Sequence, residues 1–178
     1  MDTQNSLRDG LLTVVLPAYN EQDSVPLAAD TICPLLEKEG IRHEILFVND
    51  GSRDGTWKAI QAQTARHPQV RGVCFSRNFG KEAAIFAGLA QAKGDCAVVL
   101  DCDLQHPPEK IVEMYRLWQQ GYQMVEGVKV TRGKESPLHT LAAKTFYHFI
   151  SSATKIDMSR ASDFKLLDRR AVDVLVAM

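Results

Sequence analysis

Two carboxylates one residue apart, Asp101 and Asp103, follow an unbroken apolar run, Cys96-Ala97-Val98-Val99-Leu100. Gln105, His106 and the pair Pro107-Pro108 come next, ahead of a helical pattern. Two hard oxygen donors at such a place suit Mg²⁺ or Mn²⁺ carrying a diphosphate. Asp-x-Asp alone is also an ordinary solvated turn, so the pair is weighed with its company. Tyr19, Asn20 and Glu21 follow the apolar residues 11–16, and Asp50, Gly51 and Ser52 follow 44–48. Arg77 and Lys81 follow 70–75. An aromatic, several carboxylates, small residues and cations together suit a nucleotide: ring contact, ribose hydroxyls, diphosphate and metal. Neither G-x-G-x-x-G nor a Walker loop is present. A metal with Arg or Lys must then neutralise the diphosphate.

These residues need a common edge. Residues 11–16, 44–48, 70–75, 96–100 and 123–130 read as strands, and 161–167 as a last short one. Helical spacing links them. The first helix starts at Ser24 and carries Ala28, Ala29, Ile32, Leu35 and Leu36; Pro34 is expected to kink or divide it. Trp57, Ile60 and Thr64 mark the second, and alanine-rich 82–93, stopped by Gly94, the third. The fourth follows Pro107-Pro108 with Ile111, Met114, Tyr115 and Trp118 on one face, and 137–150 and 168–178 complete the set. Such alternation predicts a single doubly wound α/β domain, a mainly parallel sheet flanked by helices, spanning 1–178. Its carboxyl strand ends share one rim, where open α/β sheets bind ligands.

Composition narrows the partners. The 178 residues are 45% hydrophobic and 24% charged, with a formal net charge of -1, which gives no global signal for nucleic acid. Four cysteines (Cys33, Cys74, Cys96, Cys102) form no C-x-x-C pair. Cys74 and Cys96, inside apolar runs, read as small core residues in a reducing setting. No apolar run reaches the ~18 residues of a membrane helix. Residues 168–178 read as a helix cut off without a cap, as at the end of a truncated catalytic domain.

Four ordered motifs carry a family resemblance: Val15-Leu16-Pro17-Ala18-Tyr19-Asn20-Glu21, Val48-Asn49-Asp50-Gly51-Ser52-Arg53-Asp54-Gly55-Thr56, Ser76-Arg77-Asn78-Phe79-Gly80-Lys81 and Leu100-Asp101-Cys102-Asp103-Leu104-Gln105-His106-Pro107-Pro108-Glu109. The chain resembles the family 2 inverting glycosyltransferases of GT-A fold. Its Leu-Gln-His-Pro-Pro-Glu run and the late Ser162-Asp163-Phe164-Lys165-Leu166-Leu167-Asp168-Arg169 favour the polyprenyl- and dolichyl-phosphate branch. The resemblance implies that Pro17, Tyr19 and Glu21 lie along the base, with Asp50 and Ser52 at base or ribose. Arg77 and Lys81 would stand near the nucleotide. Asp101, Asp103 and Gln105 would stand at the metal. It also implies that Lys129 and Arg132 hold phosphate, lysine standing where arginine is usual and so losing bidentate geometry. Asp163 matches an acidic residue proposed as a base. His106 reads as a helix-start residue, not a ligand.

The implied reaction is transfer of a sugar from a nucleoside diphosphate sugar, UDP favoured, to polyprenyl phosphate, with inversion and dependent on Mg²⁺ or Mn²⁺. The implied place is the cytoplasmic face of a membrane, with 137–150 near the lipid; the oligomeric state is open. Three rivals stand beside it: a family 2 enzyme with a soluble or polysaccharide acceptor, a nucleotidyltransferase, and a non-catalytic nucleotide-sugar-binding domain. The nucleotidyltransferase needs a glycine-rich basic loop after the first strand, and Pro17 to Glu21 has neither feature.

Overall fold

The computed structural model describes residues 8–127 and 164–178. The elements run β1 (Leu12–Ala18), α1 (Ser24–Lys38), β2 (His43–Asn49), α2 (Thr56–Arg66), β3 (Val70–Cys74), α3 (Lys81–Gln91), β4 (Cys96–Val99), α4 (Glu109–Gln119) and β5 (Met124–Glu126). After the undescribed residues come β6 (Lys165–Asp168) and α5 (Arg169–Val176). One six-stranded sheet has the order β3-β2-β1-β4-β6-β5. The first four of these strands are parallel, and β6 runs antiparallel to both β4 and β5. The expected α/β domain with a mostly parallel sheet is therefore present, and the late strand is what makes it mixed.

Strands β1, β2 and β4 are apolar on both faces because helices cover both faces. Even-numbered β1 residues pack with α1, α2 and α4, through Ile32, Leu36, Ile60, Ile111 and Trp118 among others. Val15, Ala97, Val99 and Leu167 face α3 and α5, through Leu89, Val172 and their neighbours. Gly88 of α3 lies so close to β1 that a Cβ there would overlap Val15. Glu44 is buried at the rim where β1, β2 and β4 begin. It accepts hydrogen bonds from Thr13 Oγ1 (2.7 Å), the Lys93 N–H (2.7 Å) and Arg71 Nη1 (2.8 Å).

Several boundaries differ from the expectation. Helix α1 runs undivided through Pro34. Pro34 is exposed, so the carbonyl left without a donor one turn earlier can be hydrated. Strand β1 extends to Ala18 and takes in Pro17. Odd-numbered β1 residues direct their backbone groups toward β4, as when the Leu100 N–H donates to the Val15 carbonyl (3.1 Å). Pro17 is the next odd residue and has no N–H. The β1–β4 ladder stops there, and β4 turns off into the acidic loop. Cys96 is buried as expected, but Cys74 is exposed at the end of edge strand β3, its sulfur accepting from Asn49 Nδ2 (3.1 Å). An apolar run does not reveal which strand lies at the sheet's edge. Strand β5 covers only three residues among those described, and 137–150 lies outside them. No described helix is long and apolar enough to cross a membrane.

Candidate active site

Strand order reverses at β1, which has β2 on one side and β4 on the other. A crevice opens at such a switch point, outside the carboxyl ends of the strands. The loop after β1 and the loop after β4 border it. Because β1 and β4 are parallel neighbours, the two loops leave the sheet side by side. Cys102 points into the core, and burial first, then the negative charges of Glu21, Asp103 and Asp101, push its thiol up. With Cys102 turned inward, Asp101 and Asp103 fall on the outward side.

The acidic loop is held in a tight turn. The Leu104 N–H donates to the Asp101 carbonyl (3.3 Å), and Leu104 adopts φ +54°. A non-glycine residue in that region carries backbone strain, and such strain gathers at functional sites. Asp103 is exposed and accepts from the Gln105 N–H on Oδ1 (3.2 Å) and from Gln105 Nε2 on Oδ2 (2.8 Å). Gln105 thus orients Asp103, with its amide nitrogen on the carboxylate. Asp101 Oδ1 lies 2.7 Å from Lys81 Nζ, both side chains being partly exposed. His106 stacks on Phe164, ring centroids 4.9 Å apart, which ties the acidic loop to the start of β6. Sequence spacing gave no hint of that stack, since the two rings are distant in the chain.

The loop after β2 works as a clamp between its neighbours. Asp50 is 3% exposed, and its Oδ1 and Oδ2 accept from the Phe79 N–H (2.7 Å) and the Gly80 N–H (3.0 Å). Gly51, at φ +62°, lies against the same segment; a Cβ there would overlap the backbone of Arg77 and Asn78. On the other side Ser52 Oγ accepts from the Asn20 N–H (3.0 Å) and donates to buried Asn49 Oδ1. Asn20 Oδ1 accepts from the Arg53 N–H (3.0 Å), and the Glu21 N–H donates to Thr56 Oγ1 (2.8 Å). Asn20 itself stands at φ +57°, a conformation asparagine tolerates.

The expected base-contact residues thus divide. Tyr19 is 43% exposed and open to a ligand. Glu21 accepts from Ser24 Oγ at the start of α1. Pro17 shapes the strand end, while Asp50 and Ser52 are engaged in holding loops. Arg77 is exposed, its guanidinium 4.1 Å from the centre of the Phe79 ring. Lys81 opens α3. The structure therefore brings Tyr19, Glu21, the Arg77–Lys81 segment and the two aspartates to one rim. Lys129, Arg132 and Asp163 lie outside the described residues. Asn20, counted by the sequence among the polar residues after the first strand, and Asn49, given no role there, prove to be clamp residues. The asparagine next to a strand-end aspartate was the available signal.

Among the described residues no three His, Cys, Asp or Glu side chains converge as a ready metal cage. Asp101, paired with Lys81, and Asp103, held by Gln105, are hard oxygen donors of the kind a divalent ion combines with oxygens from phosphate and water.

Known proteins share this fold, and several share much of the sequence. The bactoprenol glucosyl transferase of Shigella phage SfV is 37% identical over 164 residues, 91% of this chain and 53% of that protein. The mannosyltransferase PcManGT of Pyrobaculum calidifontis, solved with GDP-Man and Mn²⁺, shares the fold. Its TM-score is 0.66 at 22% identity, covering 94% of this chain and 47% of that one. Glucosyl-3-phosphoglycerate synthase of Mycobacterium tuberculosis, solved with Mn²⁺, UDP and phosphoglyceric acid, does so at TM-score 0.62 and 22% identity, covering 93% and 61%. The chain spans about half the length of the curated relatives it matches. The model of the family described as "Glycosyl transferase family 2" matches residues 13–174, and the chain belongs to that family.

Proposed function

We propose that the protein transfers one sugar from a nucleoside diphosphate sugar, UDP favoured, to a polyprenyl phosphate, inverting the anomeric carbon. The observation that carries this is the placing of the Asp101–Asp103 loop beside the Tyr19–Glu21 loop at the strand-order reversal, with the Asn20 and Phe79 amides held by Ser52 and Asp50. The bactoprenol glucosyl transferase, related over nearly the whole chain, supports the lipid acceptor.

In this reading Tyr19 would lie along the base, and Asp101 with Asp103 would hold Mg²⁺ or Mn²⁺. The ion would supply Lewis-acid stabilisation of charge on the leaving diphosphate. Gln105, which donates to both Asp103 oxygens, would fix the orientation of that carboxylate. The acceptor phosphate oxygen forms the new bond to the anomeric carbon as the bond to the donor's phosphate oxygen breaks on the opposite face. That acceptor is already anionic near neutrality, so Asp163 would orient it more than deprotonate it. Arg132, Lys129 and Arg77 would steer the phosphates. Residues 137–150 would lie near the lipid at the cytoplasmic face of the membrane.

A thermal-shift panel of UDP, GDP and CDP, each with and without Mn²⁺, tests the donor. The expected result is a shift for UDP that needs Mn²⁺. Transfer assays with polyprenyl phosphate and with soluble glycans then test the acceptor. Asp103→Ala should abolish transfer with the fold intact; near-normal turnover at limiting Mn²⁺ would refute the metal role. Transfer to soluble glycans alone would replace the lipid acceptor.

A further inference from the structure

We infer that Lys81 is a resident counter-ion of Asp101 that a divalent cation must displace, and that it thereby couples cation binding to nucleotide binding. The inference rests on the proposed metal-bound nucleotide.

Lys81 is the first residue of α3. A cation at a helix N-terminus opposes the helix dipole, so an anion must favour its place there. Asp101 Oδ1, 2.7 Å from Nζ, is that anion. The helix start cannot withdraw as a unit. The Phe79 and Gly80 N–H groups are fixed on the Asp50 carboxylate, and Gly88 is pressed onto Val15. The ammonium can leave Asp101 only by rotating its own flexible stem. Both partners are over a third exposed, 39% for Lys81 and 35% for Asp101, so the pair is weak enough to exchange.

A divalent ion arriving alone competes with the ammonium for one carboxylate. A diphosphate arriving with the ion adds the negative charge that lets both cations stay, the lysine moving from carboxylate to phosphate. Lys81 therefore lowers affinity for the bare ion and raises the benefit of binding ion and nucleotide together. Linkage makes that benefit equal in both directions.

The test is Mn²⁺ binding, read from the free-ion paramagnetic resonance signal, with and without UDP. Wild type is compared with Lys81→Gln, Lys81→Arg and Asp101→Asn, each checked for an unchanged circular dichroism spectrum. Lys81→Gln should bind Mn²⁺ alone about two- to fivefold more tightly, the scale of an exposed ion pair. The factor by which UDP tightens Mn²⁺ should shrink at least as much. Lys81→Arg should resemble wild type. Equal or weaker Mn²⁺ binding by Lys81→Gln overturns the inference, as does tighter binding with unchanged UDP coupling. Wild-type Mn²⁺ binding by Asp101→Asn would instead overturn the metal reading on which the inference rests.

Discussion

Glu44 has no part in the rim that gathers Tyr19, Glu21, Asp101 and Asp103, yet it is held by three hydrogen bonds in a buried place. Burial alone would raise its pKa; the Lys93 N–H, the Thr13 hydroxyl and Arg71 outweigh burial and hold it below the ordinary carboxylate value. A folded pKa below the unfolded one gives stability that is present above the unfolded value, ~4.3 for glutamate. That stability is lost as pH falls through the folded value. Glu44→Gln should therefore lose about 1–3 kcal/mol at pH 7. Urea titrations should show the gap to wild type closing as pH drops below ~4. The residue scale also shows what spacing conceals. The place of Asp101 and Asp103 was legible, because residues just past an apolar strand of a parallel sheet stand at its carboxyl rim. Asp50 offered the same signal but spends its oxygens on two N–H groups 29 and 30 residues later. No local pattern foretells which backbone will come round to meet a side chain.

Among elements, the loop after β2 decides how the loops on either side sit. Gly51→Ala should be costly, since φ +62° disfavours a side chain and the new Cβ would meet the next loop's backbone. A loss of about 1–3 kcal/mol is expected, with weaker UDP binding because Arg77 and Lys81 are displaced together. Calorimetric titration with UDP and Mn²⁺, beside a thermal melt, separates the two effects. Ser52→Ala should cost about 1 kcal/mol and raise hydrogen exchange at the Asn20 amide while sparing that of Phe79. Equal exchange at both amides would show the clamp to be one unit rather than two arms. Helices and strands themselves were largely legible, because burial on both faces leaves long apolar runs and proline and glycine mark their ends. Pro34 misled for the opposite reason: proline forbids one hydrogen bond, and an exposed helix face can do without it.

For the molecule as a whole, Asp168 joins parts that are far apart in the chain. Its Oδ2 accepts from Trp118 Nε1 (2.8 Å) and pairs with Arg8 (3.2 Å), while Oδ1 accepts from the Arg170 N–H (3.1 Å) and so caps α5. Asp168→Ala should remove about 2–4 kcal/mol, through the lost cap and a buried indole N–H left without its acceptor. A lower urea midpoint with unchanged slope would be the signature. The fold class was readable from alternation alone, but the reversed direction of β6 was not. A strand of four residues, with two leucines between a lysine and an aspartate, looks the same whichever way it enters a sheet.

That reversed strand has a consequence during synthesis. Residues 127–164 separate β5 from β6, yet β6 lies between β4 and β5. Until it leaves the ribosome, β4 lacks its strand partner on the side away from β1, and backbone N–H and C=O groups left unmet there invite other nascent chains. A message stopped at codon 160 should yield inclusion bodies, and one stopped past 176 a dispersed product.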